Sequence, residues 1–415
     1  MEKVLENKNR ILVIFLGFIL LFILVFVLMV NSPAKFVTEA RGGGISLVWD
    51  DHEMGVYFDR VSFFYNNGTP YEYTRAEYPA LGMLYLTIPA FFADTLEEYQ
   101  NALIIQNLFF TLLLIFLTYR LIKILGRSSS LLWLFMLPSF IYFVINRFDI
   151  FPAVLIQLAI LFLLKDKFTW AFVILGLSFL AKGYAIVLFP VFLIYYLVKK
   201  DIKIINVFKN KPLYLMVLPT AGVLLILMIW AGIENALFPY IFQSGRSFGY
   251  GSIYAIFISA NWDYFSIGFW KWYMAIGSKI LGLMQLALPL IIYAGYTKFK
   301  EFIQTKTDVI NWSLLVLLLY IQLSPYYSPQ WFIWVLPLFI LINIGKKEII
   351  ILVVYDLLNF MFFPLVYGYF GYDHYVFDIV VFVRSLVFVW LLFILVKRIR
   401  QNNNQIKEIE KVAIV

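Results

Sequence analysis

The chain alternates long apolar runs with short polar clusters. Residues 11–30, ILVIFLGFILLFILVFVLMV, carry no charge and match the roughly 20 apolar residues that cross a bilayer as a helix. A secretory signal has an apolar core of only about 7–15 residues, so this run reads as a retained spanning helix. Further runs cover 101–119, 131–145, 148–164, 168–181, 184–198, 213–232, 277–296, 309–323, 331–344, 349–366 and 376–396. The pattern predicts about twelve transmembrane helices. Several are short for a full crossing, which predicts kinks, tilts or ends buried by neighbours. Residues 79–93 form one more apolar stretch, opened by Pro79 and interrupted by Pro89. A short or re-entrant segment is expected there, because a full crossing would put Arg120, Lys123 and Arg127 outside the cell.

Composition agrees with this pattern. The chain is 63% hydrophobic and 14% charged, against about 45–50% apolar and about 25% charged for a soluble domain. A cytosolic enzyme, a disordered chain and a nucleic-acid-binding domain are excluded. With no cysteine, a disulfide framework, a thiolate metal site and a cysteine nucleophile are excluded as well. Two histidines, His52 and His374, cannot build a multi-histidine metal centre. The net charge is +8, but 23 of the 33 Lys and Arg lie in clusters between apolar runs. Placing those clusters in the cytoplasm lets the helices alternate with both termini inside. The excess positive charge is then a topology signal and a contact for anionic membrane lipids, not a nucleic-acid footprint. Residues 1–400 read as one integral membrane domain, and 401–415 as a cytoplasmic tail.

With that orientation the dense polar clusters all fall on the outer face, where carboxylates outnumber cations 15 to 9. Arg147, Asp149 and Lys182 lie where two apolar runs nearly touch. A charged group at such depth costs about 2.5–3.5 kcal/mol on insertion scales, so it normally faces a cavity and marks function. The structural alternative is an Arg147–Asp149 pair that locks two helix ends. Asp356 and Arg384 read as a structural pair between the last two helices. Asp50-Asp51-His52-Glu53 is either a solvated acidic loop or a carboxylate site for a hard cation such as Mg or Mn. Trp262, Trp270, Trp272 and Tyr273 read as an interfacial belt, with sugar stacking as the second reading. Cations near a carboxylate on one face suit an anionic lipid-linked substrate: the cations hold phosphate and the carboxylate takes a proton from an attacking hydroxyl.

Four stretches in order carry a family likeness. The first is Asp51-His52-Glu53 with Val56-Tyr57, Asp59, Gly68, Pro70-Tyr71 and Glu77-Tyr78-Pro79. The second is Asn146-Arg147-Phe148-Asp149-Ile150-Phe151-Pro152-Ala153. Leu180-Ala181-Lys182-Gly183-Tyr184 and Tyr327-Ser328-Pro329-Gln330-Trp331-Phe332-Ile333-Trp334 complete the set. Together they resemble polyprenol-phosphate-sugar-dependent glycosyltransferases of the GT-C fold, glycosyltransferase family 87 and the catalytic subunit of GPI mannosyltransferase I above all. The resemblance implies an all-α, GT-C-like membrane bundle with juxtamembrane or re-entrant helices in the first outer loop. It implies inverting transfer of a hexose, most often mannose, from a polyprenyl-phosphate sugar to a lipid or glycan acceptor outside the cytoplasm.

On that reading Glu53 or Asp51 is the catalytic base. This chain has Glu53 where those families usually have Asp, which leaves Asp51 an equal rival. Lys182, Arg147 and Arg246 are the candidate ligands of the donor phosphate. Asp59, Tyr57, Asp149, Tyr184 and Gln330 are candidate substrate contacts. No cofactor is required; a divalent cation and an accessory subunit stay open. The rival reading is a transporter or flippase of a lipid-linked saccharide, which should carry polar groups at the bilayer midplane and repeated halves.

Overall fold

The computed structural model describes residues 16–17, 19–20, 36–37, 44–73, 75–209, 211–246, 248–249, 251–258, 276–342, 344–371 and 375–413. Nearly all of the 11–30 run, the aromatics Trp262 to Tyr273, and His374 lie outside the described residues. Among the described residues the only strand pairing is a two-residue antiparallel ladder, Phe36–Val37 with Gly44–Ile45. Everything else that is regular is helical, so the chain is an all-α bundle.

In chain order the described α-helices of eight or more residues are α1 (Asp51–Arg60), α2 (Ala80–Thr87), α3 (Leu96–Ile124), α4 (Pro138–Asn146), α5 (Ile150–Leu164) and α6 (Phe168–Ala181). They continue with α7 (Phe189–Lys199), α8 (Lys211–Ala231), α9 (Ile233–Ser244), α10 (Ser278–Ala294) and α11 (Lys306–Gln322). The last are α12 (Phe332–Leu341), α13 (Lys346–Phe360) and α14 (Tyr375–Ala413). Start signals match local chemistry. Thr95 and Glu98 close a capping box at α3, the Thr95 hydroxyl accepting from the Glu98 N–H at 3.3 Å and the Glu98 carboxylate from the Thr95 N–H at 3.1 Å. Pro138 opens α4 inside its first turn, where a missing N–H costs nothing.

Every predicted apolar run in the described part carries a helix, but the lengths differ. Four helical stretches, Leu96–Ile124, Leu213–Ala231, Lys346–Phe370 and Tyr375–Gln401, are long and apolar enough to cross a membrane. A fifth is Ser129–Met136 with Pro138–Asn146, if that pair, bent by 63°, counts as one. The chain is thus a helical membrane protein. The other apolar helices are shorter, and their crossings belong to the topology proposed below. Burial explains the difference. All ten residues of α12 are buried, and it packs against α3, α4, α5 and α11. A short helix wrapped by protein satisfies its own backbone and needs no lipid match. In contrast, α8 presents Leu218, Leu225, Ile229 and Trp230 outward, as a lipid-facing helix should. Residues 79–93 form α2 with a tighter turn, Ile88–Phe92. The segment Ala80–Phe92 reaches only about 20 Å at roughly 1.5 Å per residue, less than the ~30 Å hydrocarbon core.

The two ends of the bundle differ chemically. At one end the Arg127 guanidinium donates to the Thr307 hydroxyl at 3.3 Å, and burial, with Arg398 close by, pushes it down to about 10. At the other end the α4–α5 junction meets α1 through Arg147 and Asp50, meets the α6–α7 junction through Asp149 and Lys182, and meets α12 through Asp149 and Trp334.

A close approach sets the height of α2 against α6. A Cβ on Gly82 would stand 2.8 Å from the Ala181 carbonyl oxygen, next to Lys182. Gly82→Ala should therefore cost about 1–3 kcal/mol of stability through overpacking. Gly222→Ala, where nothing lies within 4 Å, should be neutral or stabilising. Thermal unfolding in detergent checks both; equal midpoints for the two variants would remove the close approach as a constraint.

Candidate functional site

The site grows from the end of α4 and the three residues between α4 and α5. Asn146 ends α4, and its side chain is wholly buried. It donates to the Val48 and Tyr142 carbonyls at 2.8 and 2.9 Å and accepts from the Asp50 N–H at 2.9 Å. From α3, the buried Asn107 amide donates to the carbonyls of Ile145 and Arg147 at 3.3 and 3.2 Å and accepts from the Tyr85 hydroxyl at 2.6 Å. Two asparagines thus satisfy the open carbonyls of the α4 end and pin the segment that leads into α1 to it. Arg147 leaves the helix in extended conformation and reaches α1.

Asp50 is the N-cap of α1, its Oδ1 accepting from the Glu53 N–H at 3.1 Å. Its Oδ2 receives Arg147 Nη2 at 2.6 Å. Both oxygens are therefore engaged, and the side chain is buried. Asp51 and Glu53 fill the first turn of α1, where the helix dipole favours negative charge. The Glu53 carboxylate stands 3.9 Å from Arg147 Nε and is 24% exposed. Asp51 acts electrostatically, with Asp50 and Glu53, on the Tyr142 hydroxyl. Asp50 to Glu53 therefore form the N-cap and first turn of a helix rather than a loop, with Asp50 tied to a buried arginine. Among the described residues no three His, Asp or Glu side chains gather to hold a metal ion.

Asp149 is fully buried. Its Oδ1 accepts from Lys182 Nζ and from Trp334 Nε1, each at 2.7 Å, while Oδ2 has no partner. Lys182 is the extended residue between α6 and the turn Gly183–Leu188, and its ammonium sits over the Phe148 and Trp334 rings at 4.7 and 5.2 Å. Arg147 and Asp149 therefore do not pair with each other, as the structural alternative had it. The expected Asp356–Arg384 pair is absent too. Asp356 accepts from the Ser139 N–H at 3.3 Å, and Arg384 donates to the Gly251 carbonyl.

An aromatic ladder links the remaining candidates. Tyr184 stacks on Trp334 at 3.6 Å and 6°, Trp334 on Trp331 at 5.1 Å, and Trp331 meets Tyr326 at 5.1 Å. Arg246 lies over Tyr326 at 4.2 Å and Phe242 at 5.0 Å. Tyr184, Trp331 and Trp334 are buried, so this stack holds Asp149 rather than offering an open face. Tyr57 is also buried, edge-on to Tyr78 and Phe148. Burial, with Glu53 adding, holds its hydroxyl well above the usual phenol range, so it stays neutral, and that hydroxyl has no hydrogen-bond partner. Gln330 accepts from the Ser328 hydroxyl. Asp59 is exposed, about 200° around α1 from Tyr57 by helical geometry, and does not join the cluster.

The structure thus gathers Glu53, Arg147, Asp149, Lys182, Tyr57 and Tyr184 and connects Arg246 through rings. Sequence reasoning placed Asp50 only in a candidate cation site, and did not select Asn107, Asn146, Tyr326 or Trp334 as site residues. The signal for Asp50 and Glu53 was an acidic residue followed three positions later by Glu, the spacing of a helix start. Compared with known protein families and with characterised proteins, the chain matches none.

The buried pair makes a stability prediction. Lys182→Met leaves the Asp149 carboxylate without its counter-charge and should cost about 3–5 kcal/mol. Adding Asp149→Asn should recover most of that loss. Chemical or thermal denaturation of the single and double variants measures the coupling, and a double variant no more stable than Lys182→Met would show that the pair is not what holds this junction.

Proposed function

We propose that the chain is a glycosyltransferase that moves a hexose, mannose first among the candidates, from a polyprenyl-phosphate carrier to a lipid or glycan acceptor at the extracytoplasmic face. One observation carries the reading. At the end of the bundle where three helix junctions meet, Glu53 is a partly exposed carboxylate beside a cation, while Asp50 and Asp149 are already committed. Glu53 takes the proton of the acceptor hydroxyl. That oxygen attacks the anomeric carbon from the face opposite the leaving group. The bond from the anomeric carbon to the phosphate oxygen breaks, polyprenyl phosphate departs with the electron pair, and the configuration inverts. Asp51, one helical position before the cap turn closes, is the second candidate base. Arg246 and the outward side of Lys182 receive the donor phosphate, since Arg147 is held by Asp50 and Glu53. A hard divalent cation would take the first-turn carboxylates Asp51 and Glu53 as ligands, and no step is routed through one.

The proposed topology puts this end of the bundle outside, with both termini and the basic loops in the cytoplasm. The chain has no cysteine, so single cysteines report sidedness directly. A membrane-impermeant maleimide added to intact cells should label Asn66→Cys and leave Lys298→Cys unlabelled until the cells are opened. The reverse pattern would turn the site to the cytoplasm.

The activity test uses the full chain in nanodiscs with radiolabelled polyprenyl-phosphate-mannose and a membrane lipid and glycan extract as acceptor. Glu53→Gln should slow transfer by about 10²–10⁴-fold, the usual worth of a positioned base, with an unchanged unfolding midpoint. Arg246→Ala should chiefly raise the donor KM. Wild-type turnover by Glu53→Gln would remove the base assignment. Label that crosses the bilayer without leaving its carrier would favour the transporter.

A further inference from the structure

Arg246 sits just past the end of α9, ahead of a segment that is fastened link by link to the α11–α12 junction. The Tyr326 hydroxyl donates to Gln243 Oε1 at 2.9 Å. The Gly249 N–H donates to the Pro325 carbonyl at 3.3 Å, and the Tyr254 hydroxyl to the Gln322 carbonyl at 2.8 Å. Within the segment the Ser252 N–H returns to the Gly249 carbonyl at 2.8 Å, and Phe248 stacks on Tyr254 at 5.9 Å. Phe248, Gly251, Ser252 and Ala255 are buried, so this strap is packed into the bundle rather than laid over it. Two of its approaches admit only glycine. A Cβ on Gly249 would stand 2.7 Å from Tyr326 Cβ, and one on Gly251 would stand 2.8 Å from the Tyr327 carbonyl oxygen and 2.9 Å from the Phe362 ring.

A further link comes from α14, which is long and apolar enough to cross the membrane. Arg384 is its tenth residue, roughly 14 Å along it at about 1.5 Å per residue, and is 2% exposed. Its Nη2 donates to the Gly251 carbonyl. The guanidinium lies over the Tyr327 ring at 3.7 Å and the Phe362 ring at 4.5 Å, faces that attract a cation. Tyr327 is held in turn by α13, its hydroxyl donating to Asn359 Oδ1 at 2.9 Å. A buried carbonyl such as that of Gly251 needs a donor, and a buried arginine costs heavily unless something holds it. Ionisable side chains this far inside a spanning helix are by default functional, and what this one holds is the strap that follows Arg246.

We propose that Arg384 is a positioning residue for Arg246. It clamps Gly251, five residues after Arg246, while the bond from Tyr326 fixes Gln243, three residues before it. Between these anchors Arg246 is held over the Tyr326 ring at 4.2 Å. Arg384 touches neither donor nor acceptor and acts through the strap. The inference rests on the transfer reading for what Arg246 binds, and on the geometry alone for the clamp.

Two measurements on the full chain in nanodiscs test it. Hydrogen–deuterium exchange reads the clamp without any substrate. Arg384→Met, which removes the donor, and Gly251→Ala, which pushes the strap off Tyr327, should each speed exchange over residues 246–256 by about tenfold. Residues of α1 and α5 should keep the wild-type rate, and Arg384→Lys, which keeps one donor, should fall between. With radiolabelled polyprenyl-phosphate-mannose, both variants should raise the donor KM on the order of tenfold and leave kcat little changed. Arg384→Met combined with Arg246→Ala should be no worse than Arg246→Ala, because the clamp then has nothing left to place. A general loss of packing would instead lower kcat and the unfolding midpoint together and add to Arg246→Ala. The proposal is overturned if exchange in the strap keeps the wild-type rate in both variants, if it speeds up while the donor KM of an active enzyme stays put, or if the two losses multiply in the double variant. No transfer by the wild type would remove the transfer reading, with the exchange rates still deciding the clamp.

Discussion

Arg147 and Asp149 sit two residues apart at a helix junction in an apolar bundle, and each must be neutralised where it lies. Removing a charge from water to such a place costs several kcal/mol per ion unless a close partner and further hydrogen bonds repay it. They do not use each other. Arg147 turns to Asp50 at 2.6 Å and Asp149 to Lys182 at 2.7 Å. That choice ties the start of α1 to α4 on one side and α6 to α5 on the other. One short junction thereby fixes the relative positions of α1, α4, α5 and α6. The asparagines at 107 and 146 make the same junction rigid by occupying its carbonyls, so the charges are held where they can meet.

Asp50 shows how local and distant roles combine. As N-cap it satisfies an N–H that α1 would otherwise leave open, and as partner of Arg147 it satisfies a buried cation 97 residues away in sequence. Because both of its oxygens are used, the next carboxylate that faces Arg147, Glu53, is held at 3.9 Å rather than in a tight contact. A carboxylate that is oriented but not consumed is what general-base chemistry requires. A tighter Glu53–Arg147 contact would have removed its acceptor capacity.

Much of the bundle was legible because apolar runs report helices directly. The runs at 148–164 and 168–181 end within two residues of α5 and α6. What the runs cannot report is whether an apolar helix faces lipid or protein, since both environments select the same side chains. The 331–344 run therefore looks like a span yet holds α12, which is buried on every side. At the site, Arg147, Asp149 and Lys182 stood out because charge at an apolar junction is costly. Which charges pair did not, because pairing depends on which junctions meet in space. The same gap produced the Asp356–Arg384 expectation: two opposite charges on adjacent helices pair only if their side chains turn toward each other, and here Ser139 and Gly251 are the nearer partners. The tryptophan that fixes Asp149 lay in a quoted stretch, but its indole N–H mattered through a contact 185 residues distant.

The charge balance of the cluster also orders the proposed reaction in space. Asp50, Glu53 and Asp149 face Arg147 and Lys182, which leaves one negative charge in excess. The excess falls on Glu53, the most exposed of the three carboxylates. A phosphate approaching from that side meets repulsion, while an acceptor hydroxyl meets a base. On the other side, the ladder from Trp334 through Trp331 and Tyr326 leads to Arg246, whose nearest described neighbours are rings rather than carboxylates. In the proposed reaction an anionic donor would be drawn to that end. The sugar between them would then have its acceptor at Glu53 and its leaving phosphate toward Arg246, on opposite faces of the anomeric carbon. Under the proposed function, that is the arrangement an inverting displacement would use.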